Sequence, residues 1–203
     1  MATAGTNVQR ANVRYEIDSR MSQFTVQAFA SGLIAVVAHS PKIAIRDWTG
    51  VIQMNSGGLS GSSLQVRVQA ASLEVLDELR DSDRREIHRV MNHEILETKL
   101  YPEIVYESTE VKADKLKDDL YRSQVSGTLN LHGVSNSHGF VAQVAFGSDS
   151  ARAYSEFVLR QSDYNIPLAS IAGGTFETAG RVEVLFLCSG SQGCVEPKPL
   201  CQD

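Results

Sequence analysis

The chain has 203 residues, 42% of them hydrophobic, and a formal net charge of −5 at pH 7. This length fits one all-β domain with an ordinary core, because barrels and sandwiches of this size often remain undivided. The acidic balance disfavours a nucleic-acid partner and electrostatic attachment to anionic membranes. No run approaches the roughly 18 apolar residues that an integral membrane segment needs.

The first part of the chain is polar. Residues 1–12 contain no hydrophobic stretch of the kind that a secretory signal requires, so the sequence predicts a flexible N-terminal segment there. We therefore expect a cytoplasmic protein, or a periplasmic one if a signal peptide was removed.

Hydrophobic and polar residues alternate along most of the chain between residues 13 and 188, which predicts a sheet with one apolar face. Clusters of Gly, Ser, Asn and Asp separate the alternating segments and predict turns. About eight antiparallel strands of this length can close into a barrel. The predicted strands cover residues 13–17, 22–30, 43–54, 64–70, 104–111, 125–131, 140–146, 153–159 and 181–186.

One helical segment interrupts the predicted strands. Apolar residues recur at helical spacing between Arg84 and Glu97, and Ser82 or Asp83 is the expected N-cap. A single apolar stripe on a charged helix indicates packing against the domain, and it is also compatible with a flap over the mouth of a barrel. The stripe consists of Ile87, Val90, Met91, Ile95 and Leu96.

All three cysteines, Cys188, Cys194 and Cys201, lie near the end of the chain. Their odd number argues against a disulfide framework, although a Cys194–Cys201 loop is conceivable in an oxidising compartment. Their spacing matches no common zinc pattern, so we expect no metal. The Gly, Ser and Pro content predicts a flexible tail over residues 189–203 after a domain that spans 13–188.

Short motifs occur in a fixed order along the domain: Tyr15-Glu16-Ile17-Asp18, Tyr101-Pro102-Glu103-Ile104 and Gly127-Thr128-Leu129-Asn130-Leu131-His132-Gly133-Val134. On these motifs the chain resembles the YceI-like family from Tyr15 to Leu187. The resemblance implies an eight-stranded antiparallel lipocalin-like β-barrel. It also implies that the protein is no enzyme, needs no cofactor, and binds, sequesters or transports a polyisoprenoid or isoprenoid-quinone lipid in the barrel lumen.

The apolar faces of the predicted strands either fill such a barrel as a dry core or line a tunnel for an elongated ligand. The family resemblance favours the tunnel. A long isoprenoid would be held by apolar area alone, at roughly 25 cal/mol per Å² removed from water. The candidate lumen residues are Phe24, Val26, Ala28, Leu64, Val66, Val68, Phe140, Val144, Phe146, Phe157, Leu159, Val182, Val184 and Phe186.

Two other functions stay open at this point. One is an enzyme or redox accessory that uses His39, His132 or His138 in the same cavity, which requires that their imidazoles converge. The other is a ligand-free barrel that acts through its surface as a homodimer. No phosphate-binding loop or hydrolase motif is present, so no catalytic residue is assigned.

Several polar residues in the strand-like segments invite a structural interpretation. His132 is expected to hydrogen-bond a neighbouring strand or turn, and Arg160 and Asp163 are expected to form a buried ion pair that fixes the barrel end. A polar mouth for a lipid head group is the alternative for that pair. Trp48, which follows Arg46-Asp47, is a candidate anchor at the barrel rim.

Overall fold

A computed structural model of the chain describes residues 13–29, 42–55, 58–147, 150–166, 169–171, 174–176 and 179–189. For residues 28–29, 55, 169–171, 174–176 and 179–189 it describes the backbone alone. The predictions for the flexible segment 1–12, for residues 190–203 of the flexible tail 189–203, for His39, and for Cys194 and Cys201 lie outside the described residues. Ser189, the first residue of the predicted tail, is the last residue of a strand.

The described residues form strands, one helix and a few short helical turns. The helix α1, Asp81–Val90, continues into a π-helical turn, Met91–Ile95. Single 3-10 turns cover Ala70–Ser72 and Gln161–Tyr164. The strands are β1 Val13–Glu16, β2 Gln23–Phe29, β3 Lys42–Ile45, β4 Trp48–Asn55, β5 Gly58–Gln69, β6 Leu73–Val75, β7 Glu103–Lys117, β8 Leu120–Leu131, β9 Val134–Phe146, β10 Ser150–Arg160, β11 Ala169–Ile171, β12 Gly174–Phe176 and β13 Ala179–Ser189.

The main sheet closes on itself. Antiparallel pairing runs without interruption from β5 through β7, β8, β9, β10, β13 and β2 to β3 and β6. Because β6 follows β5 after one 3-10 turn, the two ends of this series belong to the same stretch of chain. The described strands therefore form an eight-stranded antiparallel barrel, and the predicted fold is confirmed.

Three of the barrel strands are bent, so each of them counts as two strands in the series. β5 and β6 are the two halves of one bent strand. β3 and β4, which are separated only by Arg46 and Asp47, are the halves of a second, and β1 and β2 are the halves of a third. β4 pairs with β1 and β5, while β3 pairs with β2 and β6. The bend is stabilised where the amide N–H of Gln69 donates to the carbonyl of Asp47 at 3.0 Å.

Side chains alternate across the barrel wall with the period of two that the sequence predicts. Along β8, for example, buried and exposed residues alternate from Ser123 to Leu129. The larger buried cluster fills the end of the barrel near the helix and includes Trp48, Val66, Val68 and Tyr106. A smaller one, of Leu59, Ala142 and Val144, lies near the opposite end, where short hairpins join the strands. The barrel interior thus has apolar material at both ends.

The helix packs against the first cluster, as its apolar stripe predicts. Met91 is buried there, and Ile95 and Leu96 pack beside it. The predicted caps are wrong: Arg80 is the N-cap and no side chain caps the helix. The carboxylate of Asp83 instead accepts a hydrogen bond from the Arg80 guanidinium at 2.9 Å, and its negative charge in the first turn stabilises the helix dipole.

Candidate functional site

Aromatic rings cross the middle of the barrel interior in a row. The rings of Phe140 and Phe157 stack with centroids 5.1 Å apart, and Tyr106 packs on Phe140 at 5.4 Å. The imidazole of His138 lies 4.9 Å from Phe157. Tyr106 is buried, whereas Phe140, Phe157 and His138 are only half-buried although they face inward. The inner face is therefore less completely buried at Phe140, Phe157 and His138 than at the neighbouring Tyr106.

The predicted lumen residues are distributed over both clusters. Phe24, Val26, Leu64, Val66, Val68, Phe140, Phe157 and Leu159 belong to or pack against the larger one. Val144 and Phe146 belong to the smaller one or pack against it. Of the others the structure describes only the backbone, in which Val182 pairs with Val26, Val184 with Phe24, Phe186 with Ala153, and Ala28 with Gly180. Contact of any of them with a ligand remains a prediction.

A tyrosine braces the aromatic row across three strands. The hydroxyl of Tyr106 on β7 passes over Gly127 on β8 and donates to the carbonyl oxygen of His138 on β9 at 3.2 Å. Burial raises the pKa of Tyr106 to about 12, which keeps the hydroxyl protonated as a donor. A Cβ on Gly127 would come within 2.6 Å of the Tyr106 hydroxyl oxygen and would also strike the carbonyl of Glu107. Gly127 is therefore required by the close approach of Tyr106.

We expect Gly127→Ala to destabilise the barrel by about 1–3 kcal/mol, because the added methyl overpacks a rigid site and displaces Tyr106. Urea unfolding measures the change. Gly139→Ala on the next strand is the matched control, since its Cβ would meet the Val125 carbonyl only at 3.3 Å. Equal losses for the two variants would contradict the brace.

The second glycine of the same motif serves the turn between β8 and β9. His132 and Gly133 both have positive φ, 52° and 73°, as a type I′ hairpin turn requires. A Cβ on Gly133 would lie 2.5 Å from the ring of Tyr101, and the Tyr101 ring packs on the His132 imidazole at 4.4 Å. The Tyr-Pro and His-Gly motifs of the sequence are therefore in contact.

His132 ties this turn to the segment that follows the helix. Its buried imidazole places Nε2 3.0 Å from a carboxylate oxygen of Glu97. The sequence predicted a bond from His132 to a neighbouring strand or turn, whereas the partner lies beyond the helix. The pair fastens the helical insert to the barrel end.

We expect His132→Asn to loosen this attachment without unfolding the barrel, because Asn tolerates the left-handed backbone but cannot reproduce the ring contacts. Amide hydrogen exchange should accelerate at Leu96 and Tyr101, and strand amides of β8 should stay protected. Glu97→Gln, which keeps an oxygen acceptor, is the milder control. Unchanged exchange at both amides in His132→Asn would contradict the attachment.

Two predicted features of the barrel end are wrong. Arg160 and Asp163 are both exposed, and no ion pair joins them among the described residues. The reason is local: residues 161–164 form a 3-10 turn, in which the carbonyl of Asp163 accepts a hydrogen bond from the Asn136 side chain. Trp48 is not at the rim either; it is 4% exposed, inside the larger cluster, edge-to-face with Phe24 at 5.6 Å.

The two described histidines of the enzyme hypothesis have different surroundings. His132 contacts Tyr101 and Glu97, whereas His138 contacts Phe157 inside the barrel. Burial lowers the pKa of His138, so its imidazole is neutral at pH 7.

Within the described ranges, no group of three or more His, Cys, Asp or Glu is placed to hold a metal ion, and no helix has the length and apolar character to span a membrane.

A pocket of about 310 Å³ opens beside His138 in the barrel wall. Residues of β9 and β10 and the following 3-10 turn line it. They are Asn136, Ser137, His138, Val158, Leu159, Arg160, Asp163 and Tyr164. The sequence did not predict this pocket, because hydrophobic and polar residues alternate at these positions in the same way as in the rest of the barrel wall.

Comparison with known proteins identifies the family to which this domain belongs. A family model described as the YceI-like domain matches residues 15–186. No curated protein matches the chain significantly by sequence.

Solved structures share the fold at low sequence identity. Burkholderia cenocepacia BcnA is 15% identical with a TM-score of 0.65, over 86% of this chain and 99% of that one. A Saccharophagus degradans domain, described as polyisoprenoid-binding and implicated in plant cell wall breakdown, is 15% identical with a TM-score of 0.64, over 88% and 99%. The Campylobacter jejuni YCEI protein is 17% identical with a TM-score of 0.54, over 73% and 85%.

Proposed function

The chain belongs to the YceI-like domain family, and from this premise we propose that it binds a long-chain isoprenoid lipid or isoprenoid quinone in the barrel lumen. The protein would sequester the lipid from water and transport it. The similarity to the Saccharophagus degradans polyisoprenoid-binding domain supports this ligand class.

One observation supports the proposal most strongly: the inward-facing aromatic row is only half-buried. Phe140 and Phe157 stack on each other on the inner face of the sheet, and each keeps part of its ring exposed. Apolar surface that faces an interior space gains roughly 25 cal/mol per Å² when a hydrocarbon covers it. A chain of several isoprene units lying along these rings would therefore bind without any charged contact.

We propose that this protein acts by binding and not by catalysis. No bond needs to be made or broken to keep a lipid out of water. Among the described residues, His132 contacts Glu97 and Tyr101, and no carboxylate or nucleophile hydrogen-bonds Nε2 of His138. An acid–base pair for chemistry requires such a partner within hydrogen-bond reach.

Native mass spectrometry of the protein purified from cells, followed by organic extraction and lipid identification, tests the proposal. A stoichiometric adduct that yields an isoprenoid on extraction is the expected result. Protein that is free of lipid, and that also fails to bind added isoprenoid quinones, would overturn it. A packed, ligand-free barrel that acts through its surface would then be the better account.

A further inference from the structure

β9 and β10 pair along only part of their length. Their backbone pairing runs from Ala151↔Phe146 to Ser155↔Ala142 and ends there. Beyond the pair Ser155↔Ala142, β9 remains paired with β8 back to its first residue, Val134, and β10 remains paired with β13 up to its last residue, Arg160. Within the described strands, residues 134–141 of β9 and residues 156–160 of β10 therefore form no backbone pairing with each other. The barrel wall has a gap between these two segments.

The 310 Å³ pocket lies at this gap, and residues from both faces of the barrel wall line it. Ser137 and Val158 in its lining are exposed on the outside, and Val158 is 56% exposed. Leu159 and His138 line it on the inside, and the His138 ring lies against Phe157 of the aromatic row. A molecule lying along that row would therefore reach the polar lining of the gap at His138.

The gap contains a buried polar atom without a partner. Nε2 of His138 is buried and makes no hydrogen bond within the described part of the chain. The side-chain oxygen of Gln161, at the start of the adjacent 3-10 turn, is in the same condition. Buried polar atoms are normally hydrogen-bonded, and leaving one unsatisfied is unfavourable, so such atoms indicate a place for a polar ligand group.

The charge of the pocket favours a neutral group. Arg160 and Asp163 contribute one positive and one negative charge to the lining, and the lowered pKa of His138 keeps its imidazole neutral at pH 7. A phosphate entering the gap would meet Arg160 together with an opposing carboxylate, and it would have to lose water beside the neutral imidazole. A carbonyl or hydroxyl needs only one hydrogen bond.

We propose that the gap between β9 and β10 is a lateral head-group site. It holds an uncharged carbonyl or hydroxyl against His138 Nε2 while the attached apolar chain runs along Phe157 and Phe140. The imidazole nitrogen donates to a carbonyl, or donates to or accepts from a hydroxyl, according to its tautomer. This inference rests on the proposed function and adds the chemistry and position of the head group to it.

Binding of three probes of one chain length tests the site: geranylgeraniol, geranylgeranyl phosphate and the corresponding C20 isoprenoid hydrocarbon. The wild-type protein should bind the alcohol about tenfold more tightly than the hydrocarbon, as one buried hydrogen bond allows, and more tightly than the phosphate. His138→Phe should abolish the preference for the alcohol, so that the alcohol and the hydrocarbon bind this variant equally tightly, since a phenyl ring offers no hydrogen bond but keeps an aromatic contact with Phe157. His88→Phe is the matched control, because His88 on the helix also has an unpartnered Nε2 but does not line the gap.

The outcomes separate the two proposals. An alcohol preference that survives in His138→Phe, or tighter binding of the phosphate than of the alcohol, would overturn the head-group site while lipid binding stands. Wild-type protein that binds none of the three probes would overturn the proposed function, and the head-group site would fail with it.

Discussion

Phe157→Arg is expected to lower the affinity for a C20 isoprenoid by about a hundredfold. The substitution removes one of the two stacked rings on the inner face of the barrel, and it places a charge where the proposed ligand would exclude water. A loss of roughly 3 kcal/mol from these two effects corresponds to a factor of about 100 in affinity. Fluorescence displacement or isothermal titration with geranylgeraniol measures the change.

The fold should survive Phe157→Arg, because the position is half-buried and lies beside the gap in the wall, where a long side chain can reach water. Tyr154→Arg is the matched control. It replaces an aromatic residue of the same strand that is 39% exposed on the outer face. A folded Phe157→Arg protein that binds the probe as tightly as Tyr154→Arg would exclude this wall as the lipid site.

Trp48→Ala is expected to cost about 3–5 kcal/mol of unfolding free energy, measured by urea unfolding of the lipid-free protein. Trp48 is 4% exposed at the bend between β3 and β4, and it makes an edge-to-face contact with Phe24 of the adjoining β2. Its loss leaves a cavity at the position where the sheet turns to close. For a domain of this size the melting temperature should fall by on the order of 10 °C.

Thr49→Ala, at the exposed neighbouring position, should change the stability by less than about 0.5 kcal/mol. If Trp48→Ala lost no more than this control, the bend would not depend on the indole, and the larger cluster would be able to refill the space.

The strands were predictable because their signal is local. In β8 the alternation from Ser123 to Leu129 dictates which side chains face the interior, whatever the strand pairs with. The stripe from Ile87 to Leu96 predicts the helix for the same reason. The cap at Arg80 was not predictable, since Asp83 binds the Arg80 side chain and not the helix backbone.

The motifs were predictable as signs of the family but not in their physical roles. Gly127 looks like an ordinary strand glycine until Tyr106 is placed over it, and the two lie on different strands. The contact between Tyr101 and Gly133 likewise joins segments that are separated by the whole of β7 and β8. Such pairs are set by register, which one sequence does not reveal.

The candidate site, like the motifs, was predictable only in part. Alternation correctly placed Phe140 and Phe157 on the inner face of the barrel. It also predicted that Val66 lines the lumen, whereas Val66 is 7% exposed and packed inside the larger cluster. Whether an inward residue is packed or accessible depends on its neighbours across the barrel. The gap between β9 and β10 depends on where their pairing stops, and both strands continue to alternate beyond that point.

The pairing of β13 with β2 has a consequence for biosynthesis. The hairpins from β7 to β10 join neighbours in sequence and can form early, whereas Val26 meets Val182 only after the intervening chain has been made. Until that seam closes, the nascent wall is an open trough whose aromatic floor faces water. The apolar faces of the early hairpins are therefore exposed to aggregation until β13 has been made and has paired with β2.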